Sequence, residues 1–426
     1  MPLSHLSASV QDQDEIELSL DTAVNLALEY NLNLQKSQID LAASGYSEKN
    51  LWSEIFPTIS ASASAGFSNA ISTGFDSGST NYSIGFGITL SLNAGIPYAI
   101  KNIKLAHQGN ILQYEDACNQ LSIQVTKKYY SLVAEKDNLA LLEEVLVLAQ
   151  RQYEKNQVSF RSGLLGELAL LHSGLAVENA RYNLSAASTA YENSMAEFLA
   201  MLGMPEGSRV ILLGEISIVR IIADAEFLIS EYLIKRPDII RSMQEIQRLQ
   251  YAQTQSILQN RAPSLSLSMN WNSAAFDPFS DRLNGSASLN IPIDPWIPGT
   301  ARNQTIRRSG NAVEKAKLDL AMTEDTAKNQ IRSLTALLRN SWNSITIARL
   351  SLSAAERSYQ LTEHGFLNGT VESLTLEDAR NNMTNARQRL SQSELSYFNM
   401  ILDLSAALNI DWKNLIQNFG EPGEER

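Results

Sequence analysis

Few of the residues able to do chemistry stand in patterns that chemistry uses. The four histidines, His5, His107, His172 and His364, are scattered and lack metal-ligand spacing. The single cysteine, Cys118, leaves no partner for an internal disulfide or a thiolate cluster. No Gly-x-Ser-x-Gly elbow, phosphate loop or recognisable pair of catalytic carboxylates is present. No enzymatic activity, cofactor or metal is therefore expected. The titratable residues that draw notice do so by position. His172 and Asp378 lie 378 − 172 = 206 residues apart, and other landmarks share that offset. Histidine titrates near neutrality, so a His172–Asp378 pairing would respond to pH; two separately solvated helix residues are the simpler reading. Glu167, Glu372 and Glu377 sit near expected helix starts, where an acid is favoured by the helix dipole alone.

The offset belongs to a duplication. Pro57 and Pro263, Phe160 and Phe366, Gly163 and Gly369, and Tyr153 and Tyr359 are each 206 apart. Each copy reads helix, proline, strand, loop, strand, turn, very long helix, glycine tip, long helix. In the first copy a helix is expected over 20–55, carrying Ala23, Leu26, Ala27, Tyr30 and Leu34 at helical spacing. Pro57 stops it, because proline has no N–H to continue the ladder. From Pro97 to about Gln157 nothing interrupts a helical stripe, giving a helix of roughly 90 Å. A partner helix follows over 166–202. The second copy predicts helices over 300–363 and to about Leu408. The resulting division is an N-terminal extension at 1–19, repeat one at 20–204 with a β-hairpin at 58–93, and a connector at 205–224 with a strand-like run from Val210. Repeat two at 225–410 follows, with a β-hairpin at 263–293, then a C-terminal tail at 411–426.

The strands show period-two alternation. Ile59, Ala61, Ala63, Ala65 and Phe67 alternate with serines and a glycine; Tyr82, Ile84, Phe86, Ile88, Leu90 and Leu92 alternate with Ser, Gly and Thr. Leu265, Leu267, Met269 and Trp271, then Ala287, Leu289, Ile291 and Ile293, repeat the device. Such a strand has one apolar and one polar face. Here the polar face is small and uncharged, which fits a transmembrane barrel with an aqueous lumen better than a soluble sandwich. A Gly- and Ser-rich loop is expected over 71–80 and a second loop over 273–282. Trp271, Phe67 and Tyr82 lie near strand ends, where aromatic side chains anchor at headgroup level. Four strands cannot close a barrel, so partners are required.

Composition narrows the classes further. The 426-residue chain carries a net charge of −12 and only 11 prolines. That balance opposes nucleic-acid binding, which calls for basic patches. No run of about 18 apolar residues exists to form a transmembrane helix. The first eleven residues lack the basic start and apolar core of a secretory leader. An exported protein needs one, so the membrane reading carries the expectation of a mature chain.

The order of elements, in two copies, resembles the TolC family of outer-membrane efflux proteins (outer membrane factors). The residues that carry the likeness are Leu26-Ala27-Leu28-Glu29-Tyr30-Asn31-Leu32-Asn33-Leu34, the Phe56-Pro57 strand entry and Phe160-Arg161-Ser162-Gly163-Leu164-Leu165. Phe366-Leu367-Asn368-Gly369-Thr370 and the Leu202-Gly203-Met204-Pro205 ending belong with them. The resemblance spans about Leu20 to Ile410.

That resemblance implies an α+β membrane protein, TolC-like, with two repeats of long α-helical hairpins plus β-hairpins. Three copies would form a homotrimer with a 12-stranded β-barrel in outer-membrane lipid and an α-helical barrel in the periplasm. It further implies a passive duct of a tripartite efflux or type I secretion system, including multidrug export. Its partners would be a periplasmic adaptor (membrane fusion) protein and an inner-membrane RND, ABC or MFS transporter. The tips Ser162, Gly163, Leu164, Leu165, Asn368, Gly369, Thr370 and Val371 would receive the adaptor. Family members often constrict the closed end with acids just after the second tip, helped by an arginine beside the tip glycine. Asp378 falls on one such acidic position; Thr375 occupies the other and Val371 the arginine's, so an arginine lock does not carry over. His172 and Glu377 complete the candidates for the pore constriction. The competing reading is a structural coiled-coil envelope protein without channel activity.

Overall fold

A computed structural model of the chain describes residues 16–68, 79–205, 207–216, 218–274 and 281–421. The chain divides into two compact units. One gathers the described residues up to Ser37, Glu115–Arg236 and those from Asp325 onward; the other gathers Gln38–Tyr114 and Pro237–Glu324.

The second unit holds a four-stranded antiparallel sheet. Its strands are β2 (Thr58–Ser68), β3 (Ser79–Asn93), β5 (Ser264–Ala274) and β6 (Arg282–Asn290), in the order β2-β3-β5-β6. Both hairpins thus enter one sheet, joined where β3 pairs β5 with Phe86 opposite Trp271. Hydrogen bonding within the chain leaves β2 and β6 as edges. Register keeps the faces pure: Ile59, Ile88 and Met269 lie in one cross-strand row, and Ala61, Phe86, Trp271 and Leu283 in another. The expected loops fall mostly on 71–78 and 275–280, outside the described residues; β3 begins at Ser79, earlier than the alternation indicated, and β6 ends at Asn290, before Ile291.

The helices on this unit's side include α2 (Leu32–Lys49), α6 (Pro237–Arg261) and the starts of two very long helices, α3 (Ile96–Arg161) and α7 (Ala301–Leu367). A 3-10 turn at Leu51–Glu54 precedes β2, and another at Asp294–Trp296 follows β6.

The first unit is the helical one. It contains α1 (Leu20–Tyr30), α4 (Glu167–Leu202), α5 (Ala225–Tyr232), α8 (Ser373–Leu408), α9 (Trp412–Phe419) and a parallel pair of short strands, β1 (Ile16–Leu18) and β4 (Val210–Leu212). The single helix expected over 20–55 is broken at Asn31. Its side chain accepts hydrogen bonds from the Asn33 and Leu34 N–H groups at 3.0 and 3.1 Å and donates to the Met201 carbonyl at 2.9 Å. Asparagine satisfies the new helix's orphan donors, so a polar cap overrides a continuous apolar stripe. In repeat two, Arg236 donates to the Ala407 carbonyl at 2.8 Å; 407 − 201 = 206.

The core is striped. Ile331, Leu338 and Ile345 on α7 meet Tyr397, Ile401, Leu404 and Leu408 on α8, with Leu228 of α5 and Leu415 of α9. The α7 residues recur every seven and the α8 residues step by four, three and four, as one face of a helix requires. They also correct the tail assignment: residues 412–419 fold as a helix because Leu415 is fully buried. Two buried tyrosines tie strand segments to helices. Tyr129 donates to the Leu18 carbonyl at 2.9 Å and abuts the Leu213 carbonyl; Tyr397 accepts from the Ile221 N–H at 2.8 Å and donates to the Val219 carbonyl at 3.1 Å.

Candidate functional site

Both tips are the same capped turn. Helix α3 ends with Gly163 at φ 73°, the Gly163 N–H bonding the Phe160 carbonyl and the Leu164 N–H the Ser159 carbonyl, each at 2.9 Å. Helix α7 ends with Gly369 at φ 72°, its N–H bonding Phe366 at 3.0 Å while Thr370 N–H bonds Gly365 at 2.9 Å. This pair of bonds satisfies carbonyls that a helix end leaves open, and it needs a left-handed residue. The same motif recurs at Gly203 (φ 71°) and Asn409 (φ 55°), again 409 − 203 = 206 apart.

The side chains at the tips fall into two groups. Leu164 is 83% exposed, the most exposed large apolar side chain among the described residues, while Leu165 is half-buried. Asn368 and Thr370 are exposed, and the Thr370 hydroxyl closes on the Gly365 carbonyl at 3.0 Å. The Ser162 hydroxyl likewise donates to Val158 at 3.0 Å. Val371 packs its methyl over Gly365, where an added Cβ would lie 2.6 Å away. Its role there is packing, and no arginine lock exists at that position.

The expected constriction residues cluster only in part. Asp378, Thr375 and His172 are exposed; Glu377 is half-buried. Within one chain His172 and Asp378 form no ion pair among the described residues, yet both act on Glu377. Burial pushes the Glu377 carboxyl above its ordinary value, the negative Asp378 adds to that, and Arg380 and His172 oppose it.

Arg380 is the residue that reading the sequence missed. It is 8% exposed, its Nε has no hydrogen-bond partner, and burial pulls its guanidinium below the usual arginine range, with Glu377 and Tyr359 opposing. It lines a cavity of about 230 Å³ with Arg151, Lys155, Tyr359, Glu363 and Glu377. The Tyr359 hydroxyl donates to Glu363 at 3.2 Å; burial first, and then Glu363, raises its pKa. The signal was available in the repeat. Arg380 occupies the position of Gly174 in the first copy (380 − 174 = 206), where an added Cβ would lie 3.4 Å from the Tyr153 ring. One copy keeps the tyrosine against a glycine; the other faces it with a buried cation.

The sheet of the other unit carries a separate feature. Ile59, Phe67, Tyr82, Ile84, Phe86, Ile88 and Met269 are all exposed on one face, with Phe86 stacked on Trp271 at 5.7 Å. Trp271 therefore sits in a cross-strand row with Phe86, three residues inside the end of β5. The opposite face is lined by small polar groups. Ser64 bonds Ser83, and Ser268 bonds Ser286, each at 2.7 Å. Asn272 and Asn270 lie over Gly85 and Gly87, leaving 2.4 and 2.7 Å to an added Cβ. Eleven residues of β2 rise about 36 Å, or about 27 Å upright at a 40° tilt, which is the height of a hydrocarbon core.

An apolar sheet face without charge, small polar groups opposite and duplicated long helical hairpins define a membrane-channel type of subunit. The outer membrane efflux protein family matches the chain twice, over residues 23–204 and 228–409, and the chain belongs to that family. Its members are channel proteins. The toluene efflux pump outer membrane protein TtgC of Pseudomonas putida is 23% identical over 412 residues, covering 92% of this chain and 83% of that one. The antibiotic efflux pump outer membrane protein ArpC of the same species is similar to the same extent. Among solved structures, the Campylobacter jejuni CmeC outer membrane channel superposes with a TM-score of 0.74 at 20% identity, over 94% of this chain and 88% of that chain. The open-state MtrE outer membrane channel of Neisseria gonorrhoeae gives 0.69 at 15%, over 95% and 94%.

Proposed function

We propose that three copies of this chain build a passive exit duct of an efflux pump. Each copy contributes four strands to a 12-stranded barrel in the outer membrane, with the helices in the periplasm. The observation that carries this reading is the sheet: it exposes an uncharged apolar face and leaves β2 and β6 as edges. Lipid offers no hydrogen bonds, so such edges must be paired by neighbouring copies.

The tips receive a periplasmic adaptor, through exposed Leu164 and the polar groups of Asn368 and Thr370, and an inner-membrane transporter supplies the energy. Asp378, with Thr375, His172 and Glu377 beside it, forms the constriction ring. Relatives named for toluene and antibiotic efflux support export as the role. The reading is tested by particle mass and conductance. A mass near three chains that requires detergent, and discrete channel openings in a planar bilayer, are the expected results. A folded monomer or dimer in plain buffer that passes no ions would instead favour the structural coiled-coil reading.

A further inference from the structure

The helical end of the sheet is both apolar and basic. The outward series of β6 runs past the strand into Ile291 and Ile293, and Trp296 follows at 63% exposure. At the start of β2, Trp52 and Phe56 meet edge-on at 4.9 Å, both more than half exposed. One cation is set into this belt. The guanidinium of Arg261, the last residue of α6, lies over the Trp296 ring at 4.6 Å. No carboxylate pairs with it among the described residues, and its Nε is covered without a hydrogen-bond partner. Arg302, by contrast, already has Asp294 at 3.0 Å.

The surrounding charge has the same sign. Residues 96–114 and 301–313 contain no Asp or Glu, yet carry Lys101, Lys104, Arg302, Arg307 and Arg308, in a chain whose net charge is −12. The acids at this end are Asp294, already paired with Arg302, Glu48 at the end of α2 and Glu54 in the turn that follows it. A local reversal of that kind attracts anions. Stacking on an indole orients a guanidinium, and arginine's planar fork suits phosphate oxygens. An anion that also covers the exposed isoleucines and aromatics must carry hydrocarbon.

We infer that this end of the sheet binds membrane phospholipid, with the Arg261 and Trp296 pair holding one headgroup phosphate per chain while acyl chain covers Ile293 and the apolar face. The assignment rests on the reading of the sheet as part of a membrane barrel. The apolar face and the belt are continuous, so lipid that wets the first reaches the second. A tryptophan at this level sits at the interface, where such rings are stable. A basic side chain at an anionic bilayer surface contributes about 1 kcal/mol, which is roughly fivefold in retention.

The test is native mass spectrometry of the purified protein in detergent, offered phosphatidylglycerol or phosphatidylcholine, with insertion into bilayers followed in parallel. Phosphatidylglycerol should be retained preferentially. Arg261→Gln should lower that retention about fivefold, Arg261→Lys should recover part of it, and Arg357→Gln on the distant part of α7 should leave it unchanged. Equal retention of the two lipids, or unchanged retention in Arg261→Gln, overturns the site while leaving the barrel standing. Displacement of the lipid by millimolar inorganic phosphate overturns it as a lipid site. Failure of the wild-type chain to insert into any bilayer overturns the barrel reading, and the lipid site with it.

Discussion

At Gly203 the chain has no space for a side chain: a Cβ would lie 2.7 Å from the Tyr30 Cβ and 2.8 Å from its carbonyl oxygen. Gly163 has the same left-handed backbone but open space around it. The pair separates conformational strain from collision. Gly163→Ala should cost about 1 kcal/mol for the left-handed backbone, whereas Gly203→Ala should cost about 3 kcal/mol because overlap is added. Thermal melts of the two variants in detergent read the difference; equal costs would mean that Tyr30 moves aside. Glu377 gives a second comparison. Its carboxyl is held above its ordinary value by burial and by Asp378, net of Arg380 and His172. The folded state thus binds the Glu377 proton more tightly than the unfolded state. The stability cost is absent below the ordinary glutamate value, grows as pH rises toward the folded value, and is complete above it. Glu377→Gln should therefore melt higher than the wild type at pH 7 and equal it near pH 3. An unchanged or lower melt at pH 7 would show that Arg380 depends on that carboxylate more than Glu377 suffers from its surroundings.

Among the elements, the strands make the sharpest demand on their surroundings. Phe86 lies midway along β3 on the apolar face, and Ser288 lies on the polar face of β6. Phe86→Arg should cost about 2–4 kcal/mol of barrel stability if that face meets lipid, while Ser288→Lys should change it by less than about 0.5 kcal/mol. The fraction of each variant that folds into phosphatidylcholine vesicles measures this, and equal tolerance would place water on both faces. The faces were legible because a period of two survives in any strand whose two sides differ. The tip glycines and the 206-residue offset were legible for a similar reason: a left-handed helix end constrains residue type as well as geometry. What escaped was short or overridden. The strand β1 spans three residues, too few for a period to show. The helix α9 carries Trp412, Leu415, Ile416 and Phe419 at helical spacing behind an Asp411 cap, yet so near a polar chain end it reads as tail. The break at Asn31 and the burial of Arg380 depend on partners distant in sequence, Met201 for one and Tyr359 for the other. Only comparison of the two copies, Gly174 against Arg380, brings the second into view.

For the whole molecule the decisive quantity is charge around a pore. The proposed trimer of chains at −12 would carry 3 × −12 = −36, and a conduit with that excess should favour cations. The duplication does not distribute the charge evenly. The first copy offers Leu171, His172 and Gly174 where the second offers Glu377, Asp378 and Arg380, so at these positions only the second hairpin of each chain brings carboxylates, although Glu167 stands beside the first tip. In a ring of six alternating hairpins, three would carry the Glu377 and Asp378 carboxylates. If they constrict the pore, selectivity is concentrated there, and Asp378→Asn should reduce cation preference far more than removal of an acid elsewhere on the chain such as Glu324. Screening adds a control. The Debye length falls from about 10 Å at 0.1 M salt to about 3 Å at 1 M, so a preference set by the summed charge of the walls should fade over that range. A preference set by three carboxylates in contact with the permeating ion should persist. Reversal potentials of wild type, Asp378→Asn and Glu324→Gln at the two salt concentrations distinguish the cases. Unchanged conductance and selectivity in Asp378→Asn would move the constriction away from this helix, and with it the significance of the asymmetry between the two copies.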